Sequence, residues 1–357
     1  MTAKLEIRLH PEDENMRKII SNCSSITAGY KPTFWCSGTF AQLLWLLIKE
    51  QFNLNSVRYK RHPIVFADGG SVCIDIAESE ELQETSPIVF FLHTITGSSQ
   101  TTNGFVKYAL RRGWRAIVLN RRGHEHSLTS PKFNLMGDID DTIAMIRQGK
   151  SLFPQASYAA AIGISAGSGQ VVSYIGRQRE KVDISAAVSI CPAYDVSTAF
   201  TNLDTSYPKV SALLLKRVKK YFLENNRQIL QKQSGFEESL RATKLQEIFQ
   251  SLSSLAGAED WQDYLTKNNP MAHYKGNQIP CLVLNSLDDP VCVKDNIPDL
   301  REKNYAVVLT RYGSHVAYAE GISGFGSWME RVSMDFLDTC MRLGEEKTAA
   351  KTLLAKS

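Results

Sequence analysis

The sequence predicts an α/β fold in which a mostly parallel central sheet is flanked by helices and carries one helical insertion. Three observations predict it. From Pro87 onward, short continuous apolar runs alternate with segments of helical periodicity, the pattern of βαβ units whose strands are covered on both faces. The alternation breaks off between residues 191 and 280, where mostly helical sequence intervenes, and then resumes. At the centre of the chain, an apolar run ends in Gly163-Ile164-Ser165-Ala166-Gly167 and leads into helical spacing over Gln170-Val171-Val172-Ser173-Tyr174-Ile175, a strand, turn and helix.

Taken in order, residues 1–60 form an N-terminal segment of mixed amphipathic pattern. Its apolar patch Tyr30-Lys31-Pro32-Thr33-Phe34-Trp35 is expected to pack on the main body. Residues 61–190 make the first part of the core. Residues 61–77 read as a hairpin, because Asp68-Gly69-Gly70 supplies the positive φ angles of a tight reversal. Strands follow at 88–92 and 116–119, with a helix around 105–110 between them. The next helix is predicted over 138–152, with Ile139, Ile143 and Ile146 on one face and Pro154 closing it, and after the Ser165 segment comes a strand at 184–190. Residues 191–280 are expected as a helical lid above the strand ends. Residues 281–342 complete the core with strands at 281–284 and 305–310 and a helix over 328–341, whose stripe is Met329, Val332, Phe336 and Cys340. Residues 343–357 are charged and alanine-rich, an expected flexible tail.

The chemistry gathers at strand ends. In G-x-S-x-G the serine sits on a turn so sharp that the flanking glycines can carry no side chain, which exposes Ser165 Oγ above the sheet at a helix N-terminus. Two later strands end in Asn285-Ser286-Leu287-Asp288-Asp289-Pro290 and in Arg311-Tyr312-Gly313-Ser314-His315. Serine, acid, histidine is the chain order of an α/β-hydrolase triad. A serine hydroxyl needs a base at neutral pH, and His315 has a suitable intrinsic pKa; an acid fixes its tautomer. Asp289 is chosen as that acid because Pro290 stiffens the chain beyond it, with Asp288 as the alternative. The oxyanion donors are expected to be the backbone amides of Ala166 and Ile95, the latter in the loop His93-Thr94-Ile95-Thr96-Gly97-Ser98 after the first parallel strand.

Other classes are disfavoured. The 357 residues carry a formal net charge of only +4 and no basic run interleaved with aromatics, so nucleic acid is not an expected partner. The glycines of 163–169 lack a P-loop lysine, and no acid stands at the ribose distance of a dinucleotide fingerprint, so no cofactor is expected. His124-Glu125-His126 offers two metal-ligand types but no third ligand, so no metal is expected and the stretch reads as a solvated loop. Residues 1–20 hold acids and no apolar core of signal-peptide length, and the longest apolar run, residues 40–48, is about half a bilayer span. The seven cysteines lack paired spacing and read as reduced, buried thiols. These features predict an intracellular protein, cytoplasmic or peripheral to a membrane, with no signal peptide and no transmembrane helix.

With these residues assembled, the chain resembles the AB hydrolase superfamily and, within it, the fourth family of esterases and lipases, which includes embryogenesis-associated hydrolases, phospholipases and acylglycerol lipases. The resemblance spans about residues 30–342. Its marks are the 30–35 patch, the Asp68-Gly69-Gly70 hairpin, residues 93–98, Asn120-Arg121-Arg122-Gly123, residues 163–167, residues 285–290, and Tyr312-Gly313-Ser314-His315 with Glu320-Gly321. Thr94 stands where members usually carry glycine, and threonine resists positive φ. The resemblance implies an α/β-hydrolase fold, a triad of Ser165, Asp289 and His315, and hydrolysis of carboxylic esters, chiefly of acyl lipids such as a monoacylglycerol, lysophospholipid or phospholipid. A receptor with an idle triad and an acyltransferase remain alternatives.

Within the insertion, Val210, Leu214, Val218 and Phe222 repeat every fourth residue. Lys209, Lys216, Arg217, Lys219, Lys220, Arg227 and Lys232 surround them, with Glu224 the one acid of that stretch. Such a stripe either packs on the hydrolase core or lays its apolar face on anionic lipid.

Overall fold

In the computed structural model, which describes residues 4–36, 38–53, 56–132, 134–136, 138–269 and 272–354, nine strands form one sheet. They are β1 (Glu6–Leu9), β2 (Tyr59–Val65), β3 (Ser71–Ala77), β4 (Ile88–Leu92), β5 (Arg115–Asn120), β6 (Ala159–Ile164), β7 (Ala186–Ile190), β8 (Cys281–Ser286) and β9 (Tyr305–Thr310). Their order is β1-β9-β8-β7-β6-β4-β5-β3-β2. The six strands from β5 to β9 along this order are mutually parallel, and β1, β2 and β3 add antiparallel edges. Strands β4, β6, β7, β8 and β9 are buried at every residue, because helices cover both faces, and so each reads as an unbroken apolar run rather than an alternating one.

Helices α1 (Glu14–Asn22), α2 (Ser24–Thr27), α3 (Thr39–Asn53), α4 (Asn103–Leu110), α5 (Asp140–Leu152) and α6 (Ala166–Gln178) precede the insertion. One layer of core joins α1, α4 and the long C-terminal helix to one face of the sheet; the other joins α5 and α6 to the opposite face. Each Val, Leu, Ile or Phe sunk in these layers contributes about 1.5–3 kcal/mol. The insertion comprises α7 (Val196–Ser206), α8 (Pro208–Val218), α9 (Arg227–Leu230), α10 (Phe236–Arg241), α11 (Leu245–Leu255) and α12 (Trp261–Asn268). It has its own apolar core, which also takes in Leu128, Met136 and Ala166, so it sits against the residue that follows Ser165.

One open alternative is decided and three expectations are corrected. The apolar stripe of the insertion is not available to lipid: Val218 and Phe222 are fully buried, and Val210 and Leu214 pack against the insertion's own core. The 30–35 patch divides, since Tyr30 is buried on Trp328 and Tyr318 while Phe34 is 79% exposed and Trp35 partly so. The final helix, α13 (Trp328–Leu354), continues through most of the stretch expected as a tail, where Glu345, Glu346, Lys347, Ala349 and Ala350 are good helix formers. His124 lies in no solvated loop but is fully buried. The N-terminal segment also supplies β1, paired with β9 from Glu6 opposite Leu309 to Leu9 opposite Ala306. All seven cysteines are buried and unpaired. No helix among the described residues is long and apolar enough to cross a membrane.

Candidate active site

Ser165 stands between β6 and α6 with φ +53, a left-handed conformation that a non-glycine residue adopts only under constraint. The constraint is close packing around the turn. A Cβ on Gly163 would collide with the Gly167 carbonyl, and one on Gly167 with the Leu92 carbonyl at the end of β4, so both positions must be glycine for helix and strands to meet.

The β8 and β9 ends bring the acid and the base to this serine. Ser165 Oγ lies 2.8 Å from His315 Nε2, and His315 Nδ1 lies 2.9 Å from Asp289 Oδ2 and 3.1 Å from Oδ1. A carboxylate accepting at Nδ1 fixes the tautomer in which Nε2 is free to accept the serine proton. Asp289 Oδ1 also accepts the Val291 amide at 2.7 Å and the Cys292 amide at 2.9 Å, which aims the carboxylate. Asp288 does different work. It accepts the Ser314 amide at 2.8 Å, the Ser286 hydroxyl and, at 3.3 Å, the Thr39 hydroxyl, so it ties the β8 end to the residue before His315 and to the start of α3. Burial pushes its carboxyl above the usual range, and those hydrogen bonds oppose the shift. Of the two carboxylates, the one that meets the histidine is Asp289. The Cys191 thiol also lies within 4.8 Å of ligand atoms on Asp289 and His315, and burial holds its pKa far above that of a free thiol.

The loop after β4 is fixed from behind. Arg121 Nη1 donates to the His93 carbonyl at 3.0 Å and to Gln170 Oε1 at 3.0 Å, and its Nη2 donates to the Thr94 carbonyl at 2.6 Å. The two ring nitrogens of His124 face the carbonyls of Arg122 at 3.1 Å and Ile95 at 3.0 Å, of which a neutral ring donates to one. Three successive carbonyls, from His93 to Ile95, are therefore drawn toward this buried cluster. Among the described residues, neither the Ile95 amide nor the Ala166 amide has a protein acceptor. Thr94 is absent from the residues with positive φ, so threonine fits here without strain.

Arg121 is fully buried, and among the described residues no carboxylate pairs with it; burial lowers its pKa to about 10. Burial, together with the Arg121 charge, lowers His124 to about 3, and the same two influences with the neighbouring His124 hold His93 well below its ordinary value. The sequence marked Arg121 only as part of a motif, and it gave His124 the wrong environment. A signal was present: an arginine and a histidine at the end of a buried strand have to be satisfied internally. Also unforeseen was α3 beside the site. A cavity runs from Thr94, Ile164 and Val316, neighbours of the triad and the loop, to Leu46 and Asn53 of α3 and Glu330 of α13.

Residues 83–308 match the family Hydrolase_4, described as serine aminopeptidase, S33. Human phospholipase ABHD3 is 27% identical over 348 residues, covering 92% of this chain and 83% of its own. Zebrafish (Danio rerio) monoacylglycerol lipase ABHD2 is 27% identical over 273 residues, 71% of this chain and 63% of its own. Among solved structures, the Pyrococcus furiosus esterase Pf2001 superposes with a TM-score of 0.52 at 15% identity, covering 79% of this chain and 93% of its own, a likeness of fold.

Proposed function

The chain belongs to the Hydrolase_4 family, and from that premise we propose that it is a carboxylic ester hydrolase that cleaves acyl lipids through an acyl-Ser165 intermediate. The observation that carries the reading is the unbroken line from Ser165 through His315 to Asp289, with both hydrogen-bond distances under 3 Å. Ser165 Oγ attacks the ester carbonyl while His315 Nε2 takes the hydroxyl proton, and Asp289 stabilises the imidazolium. The carbonyl oxygen becomes an oxyanion at the amides of Ala166 and Ile95, each such donor lowering the barrier by about 3–4 kcal/mol. His315 returns the proton to the departing alcohol. Water, deprotonated by the same ring, then attacks the acyl-serine and releases the fatty acid.

An acyl lipid is the substrate class because the relatives that span most of this chain bear the names of a phospholipase and a monoacylglycerol lipase. Beside the triad lies a small amphipathic cavity of about 50 Å³, in which Leu46, Phe105, Ile164, Val316 and Met329 meet Thr94, Thr101 and the Lys49–Glu330 pair, 3.5 Å apart. The insertion, seated against Ala166, serves as the lid. Purified protein and a Ser165→Ala variant are to be compared on a monoacylglycerol, a lysophosphatidylcholine and an amino-acid anilide. Release of fatty acid by the wild type alone is the expected result. Cleavage of the anilide in preference to both lipids would replace this reading with a peptidase.

A further inference from the structure

Of the large apolar side chains that are exposed among the described residues, all but Ile7 and Val65 lie on α3, on the two loops beside it, or on α8. On α3, Phe40, Leu44, Ile48 and Phe52 recur every fourth residue, and three of them are more than 60% exposed. At 100° per residue they share one 120° arc, while Leu46 and Asn53, which line the cavity, lie on the opposite side of the helix. Aromatic neighbours extend the arc into a platform. The Phe325 ring lies 5.1 Å from Trp45 and 5.7 Å from Phe52, and Trp45 in turn lies 5.1 Å from Trp35. A continuous exposed apolar surface of this kind marks an interaction site in a protein of ordinary composition.

Charge beside the platform identifies what covers it. The start of α8 adjoins the start of α3: the ring of Tyr207, just before α8, lies 5.9 Å from that of Phe40, and the charge of Arg217 is felt by Glu50 of α3, whose pKa burial raises. Exposed on α8 are Lys209, Lys216 and Arg217, followed by Lys220. An apolar face flanked by lysine and arginine fits a bilayer with anionic headgroups, the apolar side chains entering the acyl boundary and the cations meeting phosphates. At about 22 Å, the length of fifteen residues, α3 is too short to span a bilayer and long enough to lie in its surface.

We propose that α3 is an interfacial helix that seats the enzyme on an anionic phospholipid surface through Phe40, Leu44, Ile48 and Phe52, with the α8 cations as electrostatic support. The proposal rests on the lipid-ester reading for its purpose, since the opposite side of the same helix lines the cavity beside the triad. Docking is thus assigned to α3 and not to the stripe of α8, whose apolar side chains are committed to the insertion's core.

The test is flotation of the full chain with phosphatidylcholine vesicles, with and without phosphatidylserine, alongside turnover of the soluble ester 4-nitrophenyl butyrate and the mass in solution by light scattering. Wild type is expected to float with the anionic vesicles and less with the neutral ones. Leu44→Glu/Phe52→Glu is expected to weaken binding about a hundredfold while turnover of the soluble ester is kept. Lys209→Glu/Lys216→Glu is expected to weaken binding about tenfold, to anionic vesicles alone. A wild type that turns over the soluble ester but does not float would overturn the proposal. So would a wild-type dimer made monomeric by Leu44→Glu/Phe52→Glu, because the platform would then be covered by a second copy. Flotation without cleavage of any lipid would leave the docking intact and remove the lipid-substrate reading instead.

Discussion

The two flanks of Ser165 solve the same problem in opposite ways. On the β8–β9 flank, adjacent aspartates divide the work: Asp289 meets His315, and Asp288 holds the loop that carries it. On the β5 flank, adjacent arginines divide it. Arg122 is buried in ion pairs with Asp141 at 2.8 Å and Asp68 at 2.7 Å, whereas Arg121 is buried with carbonyls and an amide oxygen as its partners. In each pair one residue anchors the scaffold; of the neighbours, Asp289 meets the base directly and Arg121 holds the loop after β4 from behind. Here a buried charge without a counter-ion is a neighbour of the candidate oxyanion loop. That positive charge lies behind the loop that carries the expected Ile95 donor.

The largest effect should come from separating the aspartates. Asp289→Asn is expected to lower kcat for a soluble ester about ten-thousandfold with the fold intact, and Asp288→Asn far less, mainly through loosening of the Ser314 loop. Equal losses in the two variants would erase the division of labour. Next is Arg122→Met, which strands Asp141 as an unpaired buried carboxylate and should cost about 3–5 kcal/mol in urea unfolding, with activity per folded molecule retained. Arg121→Met should do the reverse. Its kcat should fall by roughly a hundredfold, through a misplaced loop and a lost positive potential, with a smaller change in KM. A pure stability loss in Arg121→Met would make the two arginines equivalent and break the comparison.

The most local effect is one of pH. His124, held at about 3 in the fold, takes up a proton near pH 6.5 when unfolded, so the stability it contributes is full above that pH. As the pH drops from 6.5 toward 3 the unfolded state binds the additional proton, and stability falls by up to about 1.4 kcal/mol for each pH unit. His93 acts in the same direction. His124→Asn should make that decline shallower, measured as thermal melting between pH 7 and 4; an unchanged slope would mean that His124 is not buried in the neutral form.

Much of this was legible in the sequence because buried parallel strands and glycine-flanked turns impose strong local rules. The strands at 88–92 and 305–310 fall where continuous apolar runs placed them, and Ser165, Asp289 and His315 each lie at a strand end, as the alternation required. The N-terminal segment was opaque for a physical reason. Strand β1 is four residues with no fully buried side chain, so no alternation betrays it, and its partner β9 lies almost three hundred residues away. Helix α3 shows in the sequence only as an apolar run, because a helix with apolar residues around most of its circumference lacks the contrast that periodicity arguments need. The stripe of α8 was visible, but a periodic face says only that something covers it; the three-dimensional structure supplies the insertion's own core as the cover.

The most direct measurement is covalent trapping of the nucleophile. The purified protein is to be treated with a fluorophosphonate, digested, and the modified peptide identified by mass spectrometry, with a His315→Ala variant in parallel. A single adduct on Ser165 is expected, formed quickly in the wild type and orders of magnitude more slowly without the histidine. An adduct on another serine, or labelling of Ser165 at the same rate in both proteins, would contradict it.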